Sequence, residues 1–319
     1  MKTILSKLIE QQYLTKAEAS EVLVQIANNS YNASQMASFL TVFMMRSITV
    51  QELEGFRDAL LELCITVDLK GYNAVDLCGT GGDGKDTFNI STLASFVTAG
   101  AGVHVAKHGN YGVSSSCGSS NVLESLGIKF SNDEAFLQTC MEKAGICVLH
   151  APLFHPAMKN VAPIRRELGV KTFFNMLGPM VNPSFPKNQM VGVFNLELAR
   201  IYGYLYQNTD KNFTILHALD GYDEISLTCE TKVISNKTET MITPEYFGVR
   251  KLKQEEIAGG DSIESSSKIF MNVISGHGTE AQNNVVCANA AMAIATVKQI
   301  EPSDAFILAQ ESLKSGKAL

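Results

Sequence analysis

The 319-residue chain is 45% hydrophobic and 18% charged, with a formal net charge of −6. This is the composition of a globular protein with ample core for two domains or one large α/β domain. The acidic balance excludes a general electrostatic attraction to nucleic acid or anionic membrane. Seven cysteines without paired or zinc-type spacing point to reduced thiols and a cytoplasmic location, and neither a signal peptide nor an apolar membrane-spanning stretch is evident.

Residues 1–70 read as helices. Thr15 with Glu18 and Thr49 with Glu52 form capping boxes, and Ser34 is expected to cap the helix between them. That middle helix carries Met36, Phe39, Leu40, Phe43 and Met44 on one face. The methionine-rich surface of Met36, Met44 and Met45 reads as core or subunit interface. From residue 74 short apolar runs alternate with amphipathic segments. Strands are expected at 75–78, 103–106, 146–149, 190–194 and 213–217, most of them separated by helices. This is the pattern of a largely parallel sheet flanked by helices, joined to a smaller all-helical domain. Residues 160–186 interrupt the alternation with a helix, a Leu-Gly-Pro turn and a loop rich in Pro and Asn. The tail from residue 262 is predicted helical.

The stretch 76–92 concentrates chemistry. Gly79, Gly81, Gly82 and Gly84 lie between the first predicted strand and a helix that starts near Ser91. Glycine lets backbone N–H groups approach a ligand closely, and a strand–glycine loop–helix junction is an anion cradle. Asp83, Thr87, Asn89 and Ser91 add polar side chains, so a phosphate-bearing ligand is expected. Gly79, Gly81 and Gly84 match a dinucleotide fingerprint, but the next strand ends at Lys107 and His108 where that fold wants an acid. Gly79, Gly84 and Lys85 begin like a P-loop, but Asp86 stands where the Mg²⁺-binding hydroxyl belongs. A second polar loop runs from Lys107 to Ser119, and Gly118 and Ser119 open another helix. His104 and His108, on a strand and its exit, do not form a metal pair.

Asp-x-x-Gly-Thr-Gly-Gly-Asp-Gly followed by Thr-Phe-Asn-Ile-Ser-Thr resembles the signature of the anthranilate phosphoribosyltransferase family. Four further stretches agree in order: Lys107-His108-Gly109-Asn110 with Ser114-Ser115 and Gly118-Ser119; His155-Pro156-Ala157-Met158 through Arg165-Arg166-Glu167-Leu168-Gly169; Phe174-Asn175 with Leu177-Gly178-Pro179 and Asn182-Pro183; and Asp220-Gly221 with Asp223-Glu224. The resemblance covers nearly the whole chain and implies a division into 1–70 with 168–186 for the helical domain and 71–167 with 187–319 for the α/β domain. It implies transfer of the phosphoribosyl group of 5-phosphoribosyl 1-pyrophosphate to the amino group of anthranilate, in tryptophan biosynthesis, by a homodimer formed through the N-terminal helices.

The resemblance also implies residue roles. The donor is expected at Gly79, Gly82, Asp83, Thr87, Asn89, Ile90, Ser91, Thr92, Lys107, Asn110, Ser114, Ser115 and Ser119. Anthranilate is expected at Gly79, His108, Asn110, Arg165 and Gly178. Mg²⁺ is expected at Ser91, Asp223 and Glu224. The chemistry is compatible: arginine suits a carboxylate, Mg²⁺ is held by few carboxylates plus ligand phosphates, and exchange at an anomeric carbon by positioning and electrostatics needs no protein nucleophile. Arg165 and Arg166 project about 100° apart on a helix, so only one should face a site. A pyrimidine nucleoside phosphorylase of the same fold would carry a different glycine-loop sequence. A non-catalytic nucleic-acid-binding relative would be basic and could dispense with Asp223 and Glu224. The chain departs from the family loop, Lys-His-Gly-Asn-Arg-Ser-Val-Ser-Ser-Lys-Ser-Gly-Ser, at Tyr111-Gly112 and Ser116-Cys117. Two cations are missing there, leaving Lys107 and backbone donors.

Overall fold

The computed structural model describes residues 1–112 and 117–319. The chain forms two compact units, 1–66 with 151–183 and 67–150 with 184–319. No helix among the described residues is long and apolar enough to cross a membrane.

The helical unit begins with Lys2–Ile9, Lys16–Ala27, Ala33–Met44 and Val50–Glu62. Thr15 and Thr49 accept the N–H of Glu18 and Glu52, and the two glutamates reach back to the cap N–H groups, as the sequence predicts. The middle cap is not Ser34. Asn32 takes that place, its side chain accepting from Gln35 N–H at 2.9 Å, because an Asn two residues earlier satisfies the same orphan donors with Gln35 as the reciprocal partner. The core is aromatic: Phe39, Phe43 and Phe56 pack edge to face, and Phe173 stacks on Phe56 with centroids 4.4 Å apart. Met36 belongs to this interior, whereas Met44 and Met45 are exposed. Glu52 is fully buried; it pairs with Arg46 and accepts the Leu14 N–H at 2.9 Å.

The returning segment enters this unit at Ala151, earlier than the predicted residue 168, and leaves at Pro183. Local bonds explain the earlier entry. The Phe154 carbonyl accepts from Ile65 N–H at 2.8 Å, and the Asn160 amide donates to the Ala27 carbonyl at 2.7 Å. The helix Ala162–Leu168 follows and ends at Gly169 in the left-handed region.

The second unit is a seven-stranded sheet in the order β3-β2-β1-β4-β5-β6-β7. The strands are β1 (Val75–Gly79), β2 (Val105–Gly109), β3 (Ile146–His150), β4 (Asn188–Gly192), β5 (Asn212–Ala218), β6 (Thr231–Ser235) and β7 (Glu239–Ile242). β1 to β5 are parallel, and β6 and β7 add antiparallel at one edge. Five strands fall where apolar runs predict them, and the antiparallel pair is additional. β2 starts two residues later than expected and runs through Lys107 and His108, so these are strand residues and not its exit. The helix Ile90–Gly100 packs on β1, and Glu280–Lys298 is buried along nearly its whole length. The predicted helical tail is present as Ile263–Ile274, Glu280–Lys298 and Pro302–Lys314.

His155 gives the helical unit a pH-dependent weak point. Its Nε2 donates to the Val181 carbonyl at 2.8 Å. Burial pushes its pKa down from 6.5 to about 4, against hydrogen bonds to the Val181 and Leu60 backbone. The native state therefore favours neutral imidazole. The stabilisation is complete above pH 6.5 and is lost as pH falls toward about 4, reaching about 3 kcal/mol over that window. His155→Gln is expected to flatten the acid limb of denaturation midpoints followed by circular dichroism between those pH values. An unchanged acid limb would remove His155 as the cause.

Candidate active site

The carboxyl ends of β1, β4 and β5 meet at an acidic turn, where ligands bind in open α/β sheets. Gly79 and Gly192 close β1 and β4 in register with each other. The loop after β5 brings Asp223 and Glu224 against them. A Cβ on Gly79 would collide with the Asp223 carboxylate, and one on Gly192 would overlap the Asp223 carbonyl. These glycines are therefore required by the approach of the acidic turn.

Three carboxylates face one another here. Asp223 is half-buried and accepts the Gly81 N–H at 2.6 Å. Burial, then repulsion from Asp83, raises its pKa to about 7. Glu224 accepts from Thr87 Oγ1 at 2.8 Å; burial and the Asp223 charge hold its carboxyl well above the usual range. Asp83 accepts the Lys85 N–H at 3.0 Å and is also raised, chiefly by burial. The glycine loop is tied down by a bridge between Thr87 and Ala258 and by Gly259 N–H donating to the Asp86 carbonyl at 2.7 Å. Gly81, Gly82 and Gly84 adopt φ of 65°, 75° and 74°, conformations that glycine reaches without strain.

The remaining donor residues predicted from the sequence border this turn or the second loop. Asn89 stands at the N-terminus of the helix Ile90–Gly100, with its amide donating to the Cys117 carbonyl at 3.0 Å. Ser91 lies in the first turn, while Ile90 and Thr92 are buried. Lys107 is 1% exposed, and its ammonium donates to the Leu77 carbonyl at 2.8 Å. Burial lowers its pKa, opposed by Cys78, Asp76 and Glu224. It is therefore a charge set beneath the acids and fixed to β1, not a solvent-facing loop cation. His108 N–H donates to Asp76 at 3.1 Å. The Asn110 carbonyl accepts from Ser119 Oγ and from Ser120 N–H, each at 3.1 Å. Ser114 and Ser115 lie outside the described residues.

Arg165 and Gly178 belong to the helical unit. Arg165 is partly buried over the Phe174 ring at 5.3 Å and donates to Asn175 Oδ1 at 3.3 Å. Arg166 is exposed, so the two arginines do face different ways. Among the described residues neither forms an ion pair with a carboxylate. Gly178 starts the short 3₁₀ turn Gly178–Met180.

Sequence reasoning missed Asn289. It lies on the buried helix Glu280–Lys298, accepts the Ile225 N–H at 3.0 Å and donates to the Ile225 carbonyl at 2.8 Å. This two-point clasp fixes the backbone next to Glu224. The available signal was one Asn inside an otherwise apolar, alanine-rich run. Gly192 was also missed, since its need arises only from a partner 31 residues away.

A helical bundle on the same chain as an α/β domain with a glycine-loop, acid-lined site defines a two-domain glycosyltransferase. The family models agree: "Glycosyl transferase family, helical bundle domain" matches residues 2–64, and "Glycosyl transferase family, a/b domain" matches 71–319. The anthranilate phosphoribosyltransferase of Flavobacterium johnsoniae is 72% identical over all of this chain and 97% of its own length. That of Cytophaga hutchinsonii is 56% identical over the whole chain and 97% of its own length. The crystal structure of the Thermus thermophilus enzyme superposes with a TM-score of 0.91 at 31% identity, covering 98% of this chain and 95% of that one. The Saccharomyces cerevisiae enzyme in complex with PRPP and Mg has a TM-score of 0.89 at 26% identity, covering 98% and 93%. The chain belongs to the anthranilate phosphoribosyltransferase family.

The glycine contacts predict an order of damage. Gly192→Ala forces backbone against backbone and should cost about 1–3 kcal/mol. Gly79→Ala meets only a movable carboxylate and should cost less in stability while displacing Asp223. Thermal denaturation of both variants checks this; equal melting temperatures would show that the turn yields freely.

Proposed function

We propose that the chain transfers the phosphoribosyl group of 5-phosphoribosyl 1-pyrophosphate to the amino group of anthranilate, giving N-(5-phosphoribosyl)anthranilate and pyrophosphate, a step in tryptophan biosynthesis. The observation that carries this reading is the cluster of Asp83, Asp223 and Glu224 at the end of the glycine loop, in a chain 72% identical to an enzyme of that name. A nucleic-acid-binding role would not require such a cluster of acids.

The cluster fits a divalent cation held jointly with a ligand. No group of three or more Asp, Glu, His or Cys among the described residues is arranged to hold a metal by itself. Mg²⁺, however, commonly takes one or two carboxylates and completes its shell with substrate phosphates and water. Burial first, and then mutual repulsion, raise Asp223 and Glu224, and a cation would relieve that repulsion. Asp223, Glu224 and Ser91 would hold it, and the ion would supply charge neutralisation for the departing pyrophosphate. The protein's own part is positioning and electrostatics. The glycine loop and the first turn of Ile90–Gly100 offer N–H groups to phosphate. Gly79, Gly82, Asp83, Thr87, Asn89, Ile90, Thr92, Asn110, Ser114, Ser115 and Ser119 are the proposed donor contacts, with Lys107 acting through charge from below. Arg165, with His108, Asn110, Gly79 and Gly178, is proposed for anthranilate. Its guanidinium has lost hydration by burial and forms no ion pair with a carboxylate among the described residues, which suits an incoming carboxylate. Homodimerisation through the N-terminal helices is part of the same reading, supported by exposed Ile9, Tyr13, Met44 and Met45; so is a cytoplasmic location, supported by the cysteine usage.

The deciding experiment follows anthranilate fluorescence on mixing with donor, Mg²⁺ and protein. Loss of signal is expected, and its absence at every donor concentration would overturn the reading. Arg165→Ala should raise the anthranilate KM by at least about tenfold, the size of a lost charge-assisted contact, with little change in donor KM. The opposite pattern would reassign the residue. Asp223→Asn with Glu224→Gln should raise the Mg²⁺ concentration for half-maximal rate and lower kcat. Wild-type Mg²⁺ dependence in this double variant would remove the pair from the metal shell.

A further inference from the structure

Tyr111 lies at the mouth of the second loop, and its contacts give it a use that the reaction described above leaves unassigned. Its ring meets the His150 imidazole edge to face, with centroids 4.7 Å apart. His150 ends β3 and is buried. Phe130 stacks on His150 at 4.5 Å, and His150 Nδ1 shares a 2.8 Å hydrogen bond with the fully buried Ser120. The Tyr111 hydroxyl donates to the Glu124 carboxylate at 3.3 Å. Ser120 and Glu124 are both on the helix Ser119–Ser125. The tyrosine is thus fastened to one helix twice, directly through Glu124 and through His150 and Ser120.

Its two neighbours are fastened to the same helix by backbone. The Asn110 carbonyl accepts from Ser119 Oγ and Ser120 N–H. Gly112 N–H donates to Asn121 Oδ1 at 2.9 Å, and Gly118 N–H donates to the same oxygen at 3.0 Å. Three consecutive residues, 110–112, are therefore clamped to residues 118–124. A Cβ on Gly118 would strike the Gly112 backbone, so the two ends of the loop are in direct contact. Tyr111 is the one member of this stem held by a side chain on a stacked aromatic support. A tyrosine loses few rotamers when fixed, so it is an efficient anchor for a segment that must otherwise order itself on binding.

We infer that Tyr111 is a positioning residue for the phosphoribosyl donor: by clasping His150 and Glu124 it holds Asn110 and Ser119 in their binding geometry before the donor arrives. This rests on the donor assignment above. The clasp contributes no charge to phosphate. It lowers the ordering cost of binding.

The test combines kinetics with hydrogen–deuterium exchange on the full chain. Tyr111→Ala should raise the donor KM about tenfold, the effect of removing one ring contact and one hydrogen bond. The anthranilate KM, kcat and melting temperature should remain within about twofold or a few degrees. Tyr111→Phe, which keeps the ring on His150, should recover most of that loss, and the slope of donor KM against salt should match wild type in both variants. In ligand-free protein, amides of 110–112 and 117–121 should exchange faster in Tyr111→Ala and close to normally in Tyr111→Phe. A wild-type donor KM in Tyr111→Ala, unchanged exchange, or a flattened salt slope would each overturn the proposal. The exchange experiment needs no substrate, so a chain that failed to consume anthranilate would refute the function without touching the clasp.

Discussion

The constraint on which the second unit depends is negative charge taken out of water. Glu224 is buried and Asp223 beside it is half-buried, with Asp83 close enough to raise both. Isolated burial of one carboxylate costs several kcal/mol, so the surroundings must either pair the charge or keep it protonated. Much of the local architecture can be understood as that accommodation. Gly81 offers an N–H to Asp223 and Thr87 a hydroxyl to Glu224. Lys107 places a cation beneath them, pinned to the Leu77 carbonyl. Gly79 and Gly192 surrender their side chains so that the turn can approach at all.

The turn is held from behind by the long buried helix Glu280–Lys298. Asn289 binds both backbone groups of Ile225 and also donates to the Val285 carbonyl at 2.8 Å, so this buried amide is itself satisfied. Site geometry and core packing are therefore the same object here. The two hydrogen bonds tie Glu280–Lys298 to the backbone of Ile225, the residue next to Glu224.

The fold was legible where the chain repeats a simple physical rule. Five parallel strands are buried on both faces and read as apolar runs. β6 and β7 were not seen, because Thr231–Ser235 and Glu239–Ile242 mix Lys, Thr, Ser and Glu with apolar residues, the texture of strands exposed on one face and not of apolar runs. Capping boxes at Thr15 and Thr49 were legible, and the cap at Asn32 was displaced by two residues because Ser34 and Asn32 are both good N-caps. The return into the helical unit was placed late, since the segment from Ala151 onward is short helices joined by turns and its membership is decided by tertiary bonds from Ile65 and Ala27. At the site, the glycines and acids were visible as residue types. The depth at which Lys107 lies follows only from the packing of β2 beside β1, and the need for Gly192 only from the approach of the Asp223 backbone.

The buried helix Glu280–Lys298 also has a consequence for how the protein is made. Its apolar surface completes the core against Ile90–Gly100 and the sheet, and the Ser312 hydroxyl closes onto the Val97 carbonyl at 2.7 Å. These partners are separated by about 200 residues, which a ribosome working at roughly 5–20 residues per second takes on the order of 10–40 s to deliver. Throughout that interval the emerging strands have no permanent cover for one apolar face. Synthesis is then a stage at which this architecture is exposed to aggregation.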